Sequence, residues 1–132
     1  MLQVARAGKG VSQRVVTTFL GAHAIPVGST KPVYLDLLIN ELLPKVRDAK
    51  LAQYCDAFIE QNYFDVVSIR PYLVRAKELG FGLRLHVDQL TRCGGSQLAA
   101  ELGATTADHL EMAEGPEIEA LTSAGVMPVL LP

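Results

Sequence analysis

Leu83-Arg84-Leu85-His86-Val87-Asp88-Gln89 decides how the rest of the chain is read. A short apolar run closes on a histidine, an acid and an amide, and the Gly94-Gly95 loop and a helix-forming stretch follow. Buried strands usually stop on turn residues, because polar side chains in a sheet interior lose their hydration. This one stops on side chains that can ligate a metal, carry a proton or accept a hydrogen bond. Two further strand-like runs end alike, Thr17 to His23 and Thr105 to His109. All three histidines of the chain therefore fall at carboxyl ends of predicted strands.

Strand and helix signals alternate along the chain. Predicted strands are Val15 to Ala24, Tyr54 to Ile59 (closing on Glu60), Phe81 to Asp88, Thr105 to Leu110 and Val126 to Leu131. Between them the spacing predicts a helix from Val33 through Leu43, with a kink or break at Pro44, where a helix interior loses roughly 3 kcal/mol. Ser68 is the predicted cap of a second helix, with Pro71 in its first turn and Gly80 as its stop. Helices over Ser96 to Leu102 and Glu117 to Ala124 complete the pattern, and Met1 to Ala7 reads as the last turns of a helix ending at Gly8 or Gly10. Such alternation argues for a parallel sheet of about five βα units with right-handed crossovers.

Two architectures fit, an open doubly wound sheet or an arc of a barrel. Gly21-Ala22-His23-Ala24 is not the glycine-rich phosphate loop of a dinucleotide fold, and no P-loop occurs. Polar residues at the ends of several strands favour the barrel, whose chemistry sits at that face. The expected fold class is α/β, a partial (β/α)8 TIM-type barrel, with residues 1–132 a single fragment of the barrel domain.

Composition narrows the function classes. Among 132 residues 49% are hydrophobic and 20% charged, a globular balance, and the net charge of −2 leaves no basic footprint for nucleic acid. No apolar run approaches the roughly 20 residues that span a bilayer, and no signal-peptide core follows Arg6 and Lys9, so a cytoplasmic location is expected. Cys55 and Cys93 lack metal or redox spacing and are expected to be reduced, one packed in a strand and one in a loop.

Four segments resemble the imidazolonepropionases, a family of metal-dependent amidohydrolases. They are Thr17-Thr18-Phe19-Leu20-Gly21-Ala22-His23-Ala24-Ile25-Pro26, then Tyr34-Leu35-Asp36-Leu37 with Glu41-Leu42-Leu43-Pro44. Leu85-His86-Val87-Asp88-Gln89-Leu90 with Gly94-Gly95 and Leu98 to Ala104 is the third, and Ala107-Asp108-His109-Leu110-Glu111 the fourth. The resemblance runs in order from Val15 to Pro132 and implies barrel strands three to seven. It implies hydrolytic ring opening of 4-imidazolone-5-propanoate to N-formimidoyl-L-glutamate in histidine degradation, with one zinc or iron ion in the barrel mouth.

Carried over by residue, the resemblance makes His86 the metal ligand, His109 a proton-transfer residue and His23 a substrate contact. Gln89 falls beside the reacting water, which an amide can orient but not deprotonate. The family's H-x-H ligand pair, its strand-eight aspartate and its early Arg and Tyr have no counterpart in this sequence. The stretch Val27 to Lys31 also departs from the family's loop. The isolated chain is accordingly expected to lack hydrolase activity and to self-associate through open sheet edges. A different class of reading is a non-catalytic βα domain, or a half-barrel acting in assembly or binding.

Taken without the family, His86 reads more readily as a strand-end histidine bonded to a backbone carbonyl and His23 as a satisfied buried histidine, while His109 is equally a polar cluster with Asp108. Asp88 could ligate a metal beside His86, but a carboxylate facing the following helix is the safer reading. Gly94-Gly95 reads as a tight turn, and Glu60 as the partner of a nearby Lys or Arg.

Overall fold

The computed structural model describes residues 12 and 14–131. The expected helix over Met1 to Ala7 lies outside them. Five strands form one parallel sheet: β1 (Thr18–Ala22), β2 (Tyr54–Ile59), β3 (Gly82–Val87), β4 (Thr106–His109) and β5 (Met127–Val129). Their spatial order is their chain order, β1-β2-β3-β4-β5. In a doubly wound sheet the order reverses at a switch point. Here every crossover steps the same way, and right-handed crossovers then place all helices on one face. The fold is therefore α/β, an arc of parallel strands consistent with part of a βα barrel.

The helices are α1 (Lys31–Leu37), α2 (Leu43–Asp48), α3 (Val66–Glu78), α4 (Gly95–Glu101) and α5 (Gly115–Ala124). No helix among the described residues is long and apolar enough to cross a membrane. Alternate strand residues such as Cys55, Ala57, Ile59, Leu83, Leu85 and Val87 are buried in one core with Leu38, Leu43, Ile69, Tyr72 and Leu73 of the helices. The opposite, open face carries Asp56, Phe58, Arg84, His86, Thr106 and Asp108 by strand alternation and register.

Three local expectations are corrected. Pro44 does not break the first helix. A π-helical segment, Leu38–Leu42, joins α1 to α2, with the Leu43 N–H bonding back five residues to the Leu38 carbonyl. The extra residue in that turn lets the chain pass a proline that cannot donate. Ser68 is not the cap of α3. Asp65 is, accepting the Ser68 N–H at 2.8 Å, so the helix starts at Val66 and Pro71 lies inside it. Glu60 pairs with no Lys or Arg among the described residues. Its buried carboxylate accepts the N–H groups of Gln61 (2.7 Å), Leu90 (2.8 Å) and Thr91 (3.2 Å) and the Thr91 hydroxyl.

The Gly94-Gly95 turn behaves as read. Gly94 has φ +83°, and a Cβ on Gly95 would stand 2.7 Å from the Val87 Cβ. The amino end of α4 thus rests on β3 with room for hydrogen only. Gly95→Ala is expected to cost about 1–3 kcal/mol through overpacking against the fully buried Val87. Urea unfolding measures it, and an unchanged midpoint would mean that helix and strand separate freely.

Candidate active site

The site grows from β2 and β3. Asp56 sits mid-strand in β2, 3% exposed, and its register partner is Arg84; two residues on, Phe58 pairs with His86. Side chains two apart on a strand share a face, so Asp56 and His86 both reach the open side. There His86 Nδ1 lies 2.9 Å from Asp56 Oδ1. The partner of His86 is thus a side-chain carboxylate rather than a backbone carbonyl. That bond raises the His86 pKa above the ordinary histidine value, against the opposing effect of burial.

His23 follows the end of β1, and its Nε2 lies 3.2 Å from the same Asp56 oxygen. The contact is within ion-pair range but is not aligned as a hydrogen bond, and this nitrogen is buried with no hydrogen-bond partner. The His23 and His86 rings meet edge to face at 4.7 Å, and His86 stands 5.2 Å from His109. Three of the expected site residues are therefore gathered at one strand-end surface. One ligand atom from each of His23, Asp56 and His86 falls within a 4.8 Å set.

β4 adds Asp108 and His109. The Asp108 Oδ2 is 4.0 Å from His86 Nε2, and its Oδ1 is buried without a hydrogen bond. His109 (φ +82°) and Leu110 (φ +68°) are consecutive left-handed residues, a conformation bulky side chains rarely take. The turn aims the His109 imidazole away from the strand's ordinary alternation, 3.6 Å from Glu111 Oε1 at its Nδ1. Backbone outliers of this kind cluster at functional sites.

Gln89 is partly buried just beyond β3, and its side chain makes no hydrogen bond or ion pair with the three histidines. Asp88 does not face the site. It has φ +48°, which ends the strand alternation, and its carboxylate accepts the Cys93 N–H at 3.0 Å, the Ser96 N–H at 3.0 Å and the Ser96 hydroxyl. This is the helix-facing carboxylate of the safer reading. Cys55 and Cys93 are both free thiols. Burial pushes Cys55 up to about 12, which makes it inert at neutral pH.

Two carboxylates of the site, Asp56 and Asp108, were not among the residues expected from sequence. Asp56 left a signal, since an acid in the middle of an apolar strand needs a partner. Asp108 carries no signal of its own beyond standing next to His109.

Glu60 closes the surface at the end of β2. Burial pushes its carboxyl up, but the hydrogen bonds from Thr91, Leu90 and Gln61 outweigh burial and hold it below the ordinary glutamate value. A lowered folded value contributes stability that is present above the unfolded pKa and is lost as pH falls through the folded one. Glu60→Gln is therefore expected to be less stable than wild type near neutrality, with the gap narrowing as the pH falls below the ordinary glutamate range. Urea midpoints at neutral and at acid pH test this; a gap that widens on acidification contradicts it.

No protein-family model matches the chain. Among curated proteins it is similar to imidazolonepropionases. It is 50% identical over 121 residues to that of Solibacter usitatus, covering 90% of this chain and 29% of the relative. It is 49% identical over 120 residues to that of Bacteroides thetaiotaomicron, covering 89% and 29%. It is 43% identical over 129 residues to that of Clostridium tetani, covering 96% and 31%. The chain spans about three-tenths of the length of the curated relatives it matches.

Proposed function

From a chain this similar to a segment of the imidazolonepropionases, we propose that these residues form one part of an amidohydrolase barrel mouth. The reaction is hydrolysis of the cyclic amide C–N bond of 4-imidazolone-5-propanoate to N-formimidoyl-L-glutamate, a step of histidine degradation in the cytoplasm. The observation that carries the reading is the meeting of His23, His86 and His109, from three different strand ends, around Asp56 and Asp108.

The residues present fit one zinc or iron ion. His86 has Nδ1 held by a carboxylate and Nε2 without a hydrogen bond, the arrangement in which a ligating imidazole is oriented from behind. Nitrogen and carboxylate oxygen donors suit either metal. When bound, the ion supplies acidification of water near neutral pH. In this reading His86 is its ligand, His109 moves protons, His23 contacts the substrate ring and Gln89 orients the reacting water. The remaining ligands belong to parts of the barrel that this chain does not span, so the 132 residues alone are expected to be inactive.

The test is transplantation. This segment replaces the matching stretch of the Solibacter usitatus relative, and metal content and imidazolonepropanoate hydrolysis are measured on the chimera. Activity supports the assignment; a folded, metal-loaded chimera without turnover opposes it.

A second reading has its own observation. Leu20 (52% exposed) on β1 and Met127 (63% exposed) on β5 leave apolar side chains bare at the two edge strands. Self-association through these edges is the alternative use of the same fold.

A further inference from the structure

We propose that Asp56 is a positioning residue that sets the tautomers of two histidines at once. It holds His86 as the Nδ1–H form, leaving a lone pair on Nε2, and His23 as the Nε2–H form, leaving a lone pair on Nδ1. The inference rests on the proposed roles of these histidines, but it concerns the imidazoles themselves and can fail or stand without any turnover.

Asp56 is 3% exposed in the middle of a strand, and no Lys or Arg pairs with it among the described residues. A buried carboxylate without a cationic partner is unfavourable by several kcal/mol, so an apolar residue at this position would serve the fold better. Its side-chain partners are the two imidazoles, both addressed through Oδ1, at 2.9 Å from His86 Nδ1 and 3.2 Å from His23 Nε2.

An ionised carboxylate only accepts. Each nitrogen that faces it must therefore carry a proton, and each remaining ring nitrogen must then carry the lone pair when the ring is neutral. For His86 this is the less common tautomer of a free imidazole, and the protein imposes it. The buried His23 Nε2 has no hydrogen-bond partner, and the same Asp56 oxygen, 3.2 Å away, is the acceptor within reach of a proton on it.

The consequences differ at the two rings. His86 Nε2, 4.0 Å from Asp108 Oδ2, is left able to bind a cation, and an acid stands beside it. His23 Nδ1 is left as a hydrogen-bond acceptor. It recognises a ligand that offers an N–H or O–H donor, such as a ring amide, and discriminates against one offering only a carbonyl there. One buried acid thus couples the metal-facing and substrate-facing rings, and a group that perturbs either reaches the other through a single oxygen.

The test is long-range ¹H–¹⁵N correlation on the ¹⁵N-labelled chain, metal-free, at a pH where the imidazoles are neutral. Wild type is expected to show His86 protonated at Nδ1 and His23 protonated at Nε2. In Asp56→Ala, His86 is expected to shift toward Nε2–H and His23 to lose its single tautomer. His109, whose Nδ1 faces Glu111, is expected to keep its wild-type pattern. Asp56→Asn, which retains a carbonyl oxygen, is expected to preserve the His86 pattern. His86 bare at Nδ1 in wild type, or both patterns unchanged in Asp56→Ala, overturns the proposal. The wild-type spectrum decides the point even where the alanine variant does not fold. An inactive chimera with these tautomers intact would count against the reaction and not against Asp56.

Discussion

In the chimera carrying this segment, His86→Ala is expected to lose the metal and to lower imidazolonepropanoate hydrolysis on the order of 10³-fold or more. The size follows from what the ligand is asked to maintain: bulk water has a pKa of about 15.7 and metal-bound water about 7. Losing that difference removes most of the nucleophile at neutral pH, even allowing for its lower intrinsic reactivity. His109→Ala provides the contrast. It should keep its metal and lose roughly 10²- to 10⁴-fold in rate, the range for a proton-transfer group. Metal analysis beside steady-state kinetics separates the two. Full metal occupancy and near-wild-type turnover in His86→Ala would remove His86 from the site.

The difference between these variants depends on where each ring is anchored. His86 is held from β2 by Asp56, so its direction is set by two adjacent strands in register. His109 is held by its own backbone, through the left-handed turn at His109 and Leu110. The first is a rigid mount on sheet structure, and such mounts position groups better than loops do.

Most of the fold was legible because parallel strands covered by helices read as continuous apolar runs. Tyr54–Ile59 is where that run placed it, and the other strands differ by a residue or a few at their ends. The preference for a barrel arc came from polar strand ends, and the sequential strand order agrees with it. The helix starts were less legible. Pro71 reads as a first-turn proline, which pulls the expected start of α3 to Ser68, whereas Asp65 caps it and the proline lies within. Pro44 suggests a kink or a break because the penalty assumes a regular α-helical turn, and the turn before it is π-helical.

In the candidate site the histidines are legible in the sequence and the carboxylates are not. His23, His86 and His109 announce themselves by residue type. Asp56 acts through partners 33 residues earlier and 30 later in the chain, and only strand register brings them together. For Glu60 the sequence suggests a cation, because acids usually find one. Here backbone N–H groups of the following loops and the Thr91 hydroxyl serve instead. Pairing across strands is non-local, and no spacing along one segment reports it.

The second large effect concerns stability. Asp88→Ala is expected to destabilise the chain by about 3–5 kcal/mol, since each buried donor left without an acceptor costs roughly 1–3 kcal/mol. Asp88 is fully buried, and its two oxygens take up the Cys93 N–H, the Ser96 N–H and the Ser96 hydroxyl. Alanine leaves all three facing a void at the junction of β3 and α4, where Gly95 already packs against Val87 without spare room. Water has little access to them, because Ser96 is itself fully buried. A domain of this size has roughly 5–15 kcal/mol in total, so the loss removes a large share of it. Asp88→Asn keeps one acceptor oxygen and should fall between. Urea unfolding gives the totals, and hydrogen exchange should locate the loss in α4 first, since its amino end is what Asp88 fastens. A loss under about 1 kcal/mol in Asp88→Ala would mean that water reaches these donors. The fastening also sits two residues past His86, so the segment that ties the helix to the sheet is the one that fixes where β3 ends.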